Sequence, residues 1–130
     1  ERFTSFEGKT GPYLLYAAVR IKALLRRAKE DGITSGAIRI ESDEERKLVL
    51  ALDGFALALR LAHEKRMPHY VCEHVYGLAQ AFSAFYTACP ILKEGVEDSV
   101  RASRLGLCEA VLNQLEAGLG ILGITAPERM

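Results

Sequence analysis

PYLLYAAVRIKALLRRAKEDG, residues 12–32, is the stretch that decides the fold. Leu14, Ala17, Ile21, Leu24, Leu25 and Ala28 recur at three- and four-residue intervals, so a helix would gather them on one face. Pro12 suits the first turn, where its missing N–H has no partner to lose. Asp31-Gly32 supplies a stop. The spacing therefore predicts an amphipathic helix over residues 12–30.

The same period continues downstream. Residues 33–43 carry turn formers and read as a connecting loop. A second helix is expected over residues 44–65, behind Ser42 and Asp43 as caps with Glu residues following, and with Gly54 weakening its middle. Leu48, Leu52, Phe55, Leu59 and Ala62 form its stripe. A third is expected over residues 68–88, with Val71, Val75, Leu78, Phe82 and Phe85 on one side and Cys72, Ala79 and Tyr86 broadening it. A fourth is expected over residues 97–122, with Leu105, Cys108, Leu112, Leu115 and Leu119 in register. No convincing strand competes with them. The expected fold is all-α, a bundle of four to five helices forming one domain over residues 1–130.

Composition narrows the class. At 130 residues and 49% apolar, the chain suits one globular core, and no apolar run approaches the ~20 residues of a membrane helix. Glu1 reads as the edge of an excised fragment, since the first Met is Met67 and no signal peptide precedes it. Cys72, Cys89 and Cys108 are too scattered to read as a disulfide framework, and are expected as buried thiols of a reducing compartment. The net charge is zero, yet residues 1–30 hold seven Lys/Arg against three acids, while residues 31–65 and 66–130 each hold five against seven. A basic excess concentrated in one quarter is the footprint of a phosphate partner, or simply a solvated face.

Most motifs of catalysis fail on context. GLGILG, residues 118–123, matches G-x-G-x-x-G literally but ends a helix instead of opening one. Close helix packing at Gly118 and Gly120 and a stop at Gly123 explain it better. His69, Cys72 and His74 do not share a helix face and lack a fourth ligand, so no metal site is expected. No nucleophile elbow, carboxylate pair or phosphate loop appears, and no catalytic residue is assigned.

The first helix offers more. At roughly 100° per residue, Tyr13, Tyr16, Arg20 and Arg27 fall within about 60° of one another, bordering the apolar face. Aromatic rings are sequence-tolerant platforms for unstacked bases, and Arg stacks beside them or grips phosphate. Lys9 in the preceding loop lies in line with them, and Gly8 and Gly11 would let backbone approach a ligand. Spacing alone leaves equally open that the Tyr are boundary residues and the Arg snorkel.

Three segments carry a family resemblance: FEGKTGPYLLYAAVRI (residues 6–21), MPHYVCEHVYGLAQAFSAFYTACPIL (residues 67–92) and RASRLGLCEAVLNQLEAGLGILGITAPERM (residues 101–130). In order and spacing they resemble the C-terminal, DALR-type anticodon-binding domain of arginyl-tRNA synthetases. Residues 31–66 are the least distinctive part. The resemblance implies a cytoplasmic tRNA-reading domain whose enzyme joins arginine to its tRNA with ATP and magnesium through a separate catalytic domain, expected before Glu1. This fragment itself would carry no cofactor. Its implied partners are arginine-accepting tRNA and that catalytic domain, with no membrane and no DNA.

By the same resemblance, residues 6–11 lie against the anticodon, and Tyr13, Tyr16 and Arg20 contact it. Tyr86 and Met130 match positions near it. Tyr86 also falls on the apolar side of its helix, which leaves a core role open. Leu15, Ala18 and Lys9 depart from the usual pattern. The implied mechanism stacks loop bases on Tyr13 and Tyr16 and meets phosphates with Arg20 and Lys9. The alternatives are a helical protein-interaction or dimerisation module and the related domain of the glycyl enzyme's β subunit. The first would bind its partner with little dependence on salt.

Overall fold

The computed structural model describes residues 11–124 and 126–128. Among them lie five helices: α1 (Gly11–Glu30), α2 (Asp43–Asp53), α3 (Phe55–Lys65), α4 (His69–Ala88) and α5 (Asp98–Ile121). Helix α4 is the hub and packs against each of the other four, while α1 and α5 close on each other beside it.

The periodic residues fill the centre as expected. Leu14, Ala17 and Ile21 of α1 meet Leu78, Phe82 and Phe85 of α4 and Leu105, Val111, Leu115 and Leu119 of α5 in one buried cluster. Ala18 joins them, so position 18 has no room facing solvent. The three cysteines are free and buried, and burial pushes the Cys108 thiol up to about 12.

Local chemistry explains the ends. Ser42 accepts from the Glu45 amide while the Glu45 carboxylate accepts from the Ser42 amide, a capping box that starts α2. Gly32 (φ 74°) and Gly123 (φ 81°) close α1 and α5 in left-handed turns. In each the following amide reaches back to a carbonyl five residues earlier: Ile33 to Ala28 and Ile124 to Leu119.

Two expectations need correction. Residues 44–65 are not one helix, because the chain breaks at Gly54 and resumes at Phe55. The Gly54 amide bonds to Ala51 in a tightened turn, and Phe55 then stacks on His74 of α4 at 5.2 Å between ring centroids. The Leu52 carbonyl freed at the break accepts from the Gln114 amide, whose oxygen accepts from His74 Nε2. Long-range partners therefore satisfy the break.

The second correction concerns GLGILG. Gly118 is buried where a Cβ would collide with the Val75 side chain, but Gly120 faces open space and packs against nothing. Gly118→Ala is expected to destabilise the fold by about 1–3 kcal/mol through overpacking. Gly120→Ala should leave stability equal or slightly raised, as alanine is the better helix former. Paired thermal melts check both, and equal losses at the two sites would refute the assignment.

Candidate nucleic-acid interface

Helix α1 sets Tyr16 and Arg20 one turn apart on its outer side. Helix α4 brings Tyr86 to the same place in its last turn, just before Pro90 ends regular structure. A residue preceding proline is pushed out of the helical region, and Cys89 adopts φ −121°, ψ 95°. The Arg20 guanidinium sits 4.8 Å from the Tyr86 ring centroid and 5.6 Å from that of Tyr16. Both distances are within cation–π reach. Tyr16 is 55% and Tyr86 39% exposed, and the cation is held between their rings.

Tyr86 is anchored from behind. Its ring lies 5.9 Å from that of Phe82, which is fully buried, so a row of aromatics runs from core to surface. Helical spacing alone left Tyr86 between core and surface, and the packing puts it at the surface. Tyr13 has another setting. It is half-buried, its hydroxyl bonds to Ser83 Oγ at 3.2 Å, and its ring tilts against Tyr76 at 5.5 Å. The stripe expected on α1 is thus divided, with Tyr13 fixed against α4 and Tyr16 displayed with Arg20. Gly11 is the first residue of α1 and is buried, not part of an open loop. Gly8, Lys9 and Met130 lie outside the described residues.

Beside Arg20 and Tyr86 opens a groove of about 610 Å³. One side is Arg20, Ala23, Leu24 and Arg27 of α1, and the other is Thr87 with the segment after α4 through Lys93. Lys93 escaped notice in the sequence, where it sits in an unpatterned polar loop. That loop is tied down by α5. Arg101 donates to the carbonyls of Ile91 and Lys93, both at 2.8 Å, and Arg104 donates to that of Pro90 at 2.6 Å. Arg104 also binds the Glu45 carboxylate at 2.9 Å.

Glu45 is 1% exposed, and its oxygens accept from the Glu41 and Ser42 amides as well. Burial would raise its carboxyl, but those amides and the Arg104 guanidinium hold it below its ordinary value.

The basic excess of α1 divides by partner. Lys22 pairs with Glu116 at 3.0 Å and bonds to the Ala126 carbonyl, and Arg26 pairs with Glu128 at 3.0 Å. Among the described residues no carboxylate pairs with Arg20, Arg27 or Lys93. Arg20 Nε is buried without an acceptor, an arrangement that costs about 1–3 kcal/mol until one arrives. Exposed aromatic rings, a guanidinium whose Nε lacks an acceptor and a groove lined by three basic side chains with no carboxylate among the described residues can bind stacked bases and phosphate.

Comparison with known proteins points the same way. The profile of a family described as DALR anticodon binding domain matches residues 14–130. Arginine–tRNA ligases of Hyphomonas neptunium and Maricaulis maris are 62% and 61% identical to the whole chain, which spans 22% of each. Arginyl-tRNA synthetase of Thermus thermophilus superposes on 97% of this chain and 22% of its own, with a TM-score of 0.83 at 36% identity. The chain thus spans about a fifth of the length of these relatives. No helix among the described residues is long and apolar enough to cross a membrane.

Proposed function

This chain belongs to the DALR anticodon binding domain family, and from that membership we propose that it reads the anticodon loop of arginine-accepting tRNA as one domain of an arginyl-tRNA synthetase. The identity of the ligases named above supports the arginine assignment. The observation that carries the reading is Arg20 held between the rings of two exposed tyrosines, with its Nε unsatisfied, at the lip of a basic groove. We assign loop bases to Tyr16 and Tyr86, and a base edge or phosphate to Arg20. Arg27 lines the adjoining groove, and roles for Gly8, Lys9, Gly11, Tyr13 and Met130 in tRNA binding rest on the family resemblance alone. Ligation of arginine, with ATP and magnesium, belongs in this reading to the catalytic domain, the second partner of this one. Translation places such an enzyme in the cytoplasm, where three free thiols would stay reduced.

Binding of arginine tRNA and a non-cognate tRNA across a salt series tests the reading. Tighter cognate binding that weakens with salt is expected, because neutralised phosphates release counterions. Salt-independent binding, or none to either tRNA by the full-length protein, would refute it. Within it, Tyr16→Ala is expected to weaken binding by about 1–3 kcal/mol with no change in thermal stability, since the ring is mostly exposed. Tyr13→Ala is expected to lower stability as well, through loss of its contacts with Tyr76 and Ser83. A stability loss in Tyr16→Ala, or unchanged binding, would remove Tyr16 from the interface.

A further inference from the structure

The groove beyond Tyr86 holds more positive charge than the stacking cluster uses. Arg27 lies two turns along α1 from Arg20, and Lys93 faces the same space from the opposite wall. Neither has a carboxylate partner among the described residues, whereas Lys22 and Arg26 on the adjoining side of α1 both do. Three cations around one groove repel one another, and among the described residues no paired carboxylate offsets this. A bound polyanion would.

The wall that carries Lys93 is also held unusually well for a connecting segment. Two α5 arginines grip three of its carbonyls, at Pro90, Ile91 and Lys93. One of those arginines is anchored by buried Glu45. Ile91, in the same segment, is itself buried in the core. Lys93 therefore projects from a backbone with little freedom, so presenting its charge across from Arg27 requires little further ordering of the loop.

We infer that this groove is a phosphodiester track. Arg27 and Lys93 bind successive backbone phosphates of the single strand whose bases rest on Tyr16 and Tyr86, and Arg101 is the positioning residue that holds Lys93 in place. The inference rests on the tRNA reading above. It assigns the groove the sequence-independent part of binding, because phosphate contacts set register and carry no base identity.

The test is tRNA affinity against salt for the full-length protein and its Lys93→Gln, Arg27→Gln and doubly substituted forms. Each single change is expected to reduce the slope of log affinity against log salt by about 0.7, equal to about fivefold at 0.1 M salt, and the double change by about twice that slope. Cognate and non-cognate tRNA should lose equally. An unchanged slope in Lys93→Gln and in the double form, with the wild type still preferring cognate tRNA, overturns the track and leaves the reading of the anticodon standing. A wild type without salt-dependent cognate binding overturns both.

Arg101→Leu is expected to lower the slope as Lys93→Gln does, and to add nothing once Lys93 is already Gln. Additive losses would show that Arg101 acts by itself and overturn its positioning role.

Discussion

Glu45→Ala is expected to destabilise the domain by about 3–5 kcal/mol, the usual consequence of removing one member of a buried ion pair. Three losses coincide at this residue. The Arg104 guanidinium loses its carboxylate, the Ser42 amide loses its capping acceptor, and the Glu41 amide is left without a partner. For a domain of this size the melting temperature should fall on the order of 10–20 °C. Glu45→Gln separates charge from shape, since it keeps an acceptor for the amides but not the pairing.

Its pH dependence follows from the lowered carboxyl. In the unfolded chain the group protonates near its ordinary value of about 4.3, whereas in the folded domain it stays charged to lower pH. Between those values the unfolded state binds more protons, so stability rises with pH. The contribution is complete above the ordinary value and is lost as pH falls through the folded one. The gap between wild type and Glu45→Gln should therefore be widest near neutrality and narrow below about pH 4. A gap that stays constant through the acid range would show that the charge of Glu45 contributes nothing.

Arg20→Ala is expected to weaken tRNA binding by 10- to 100-fold, about 1.5–3 kcal/mol for a charged hydrogen-bond donor, with no loss of stability, because the buried Nε that lacks an acceptor goes with it. The side chain has no carboxylate partner to orphan among the described residues, and its removal leaves both tyrosine rings in place. Arg20→Lys should recover only part of the loss. Lysine carries the charge but neither the planar face that lies over the Tyr86 ring nor the Nε donor now lacking an acceptor. Full recovery with lysine would reduce the role of Arg20 to charge alone. Affinity within twofold of wild type for Arg20→Ala would remove it from the interface.

Much of the fold was legible because helix formation is local. The apolar spacing in α1, α4 and α5 named residues that are in fact buried, among them Leu14, Ile21, Phe82, Phe85 and Leu115. Ser42 with Glu45, and Gly32 and Gly123, marked helix ends through bonds to near neighbours. The failures were also physical. Gly54 was visible as a weak point, but only His74 and Gln114, contributed by α4 and α5, turn weakness into a break. Gly120 read like Gly118, because nothing in the sequence says which of two glycines meets Val75.

For the interface, Tyr16 and Arg20 could be picked out as neighbours one turn apart on α1. Their likeness to known anticodon-binding sequences was equally plain. By itself, then, the sequence determined an all-α chain, its helix faces and caps, the basic first quarter and the family. The packing of distant segments determined the rest. It brought Tyr86 against Arg20, fixed Tyr13 on Ser83 seventy positions away, and set Lys93 facing Arg27. It also decided which α1 cations are available, by placing Glu116 and Glu128 beside Lys22 and Arg26 and, among the described residues, no paired carboxylate beside Arg20 and Arg27. A side chain's periodicity is a property of its own helix, but whether its charge is neutralised depends on what the rest of the fold packs against it.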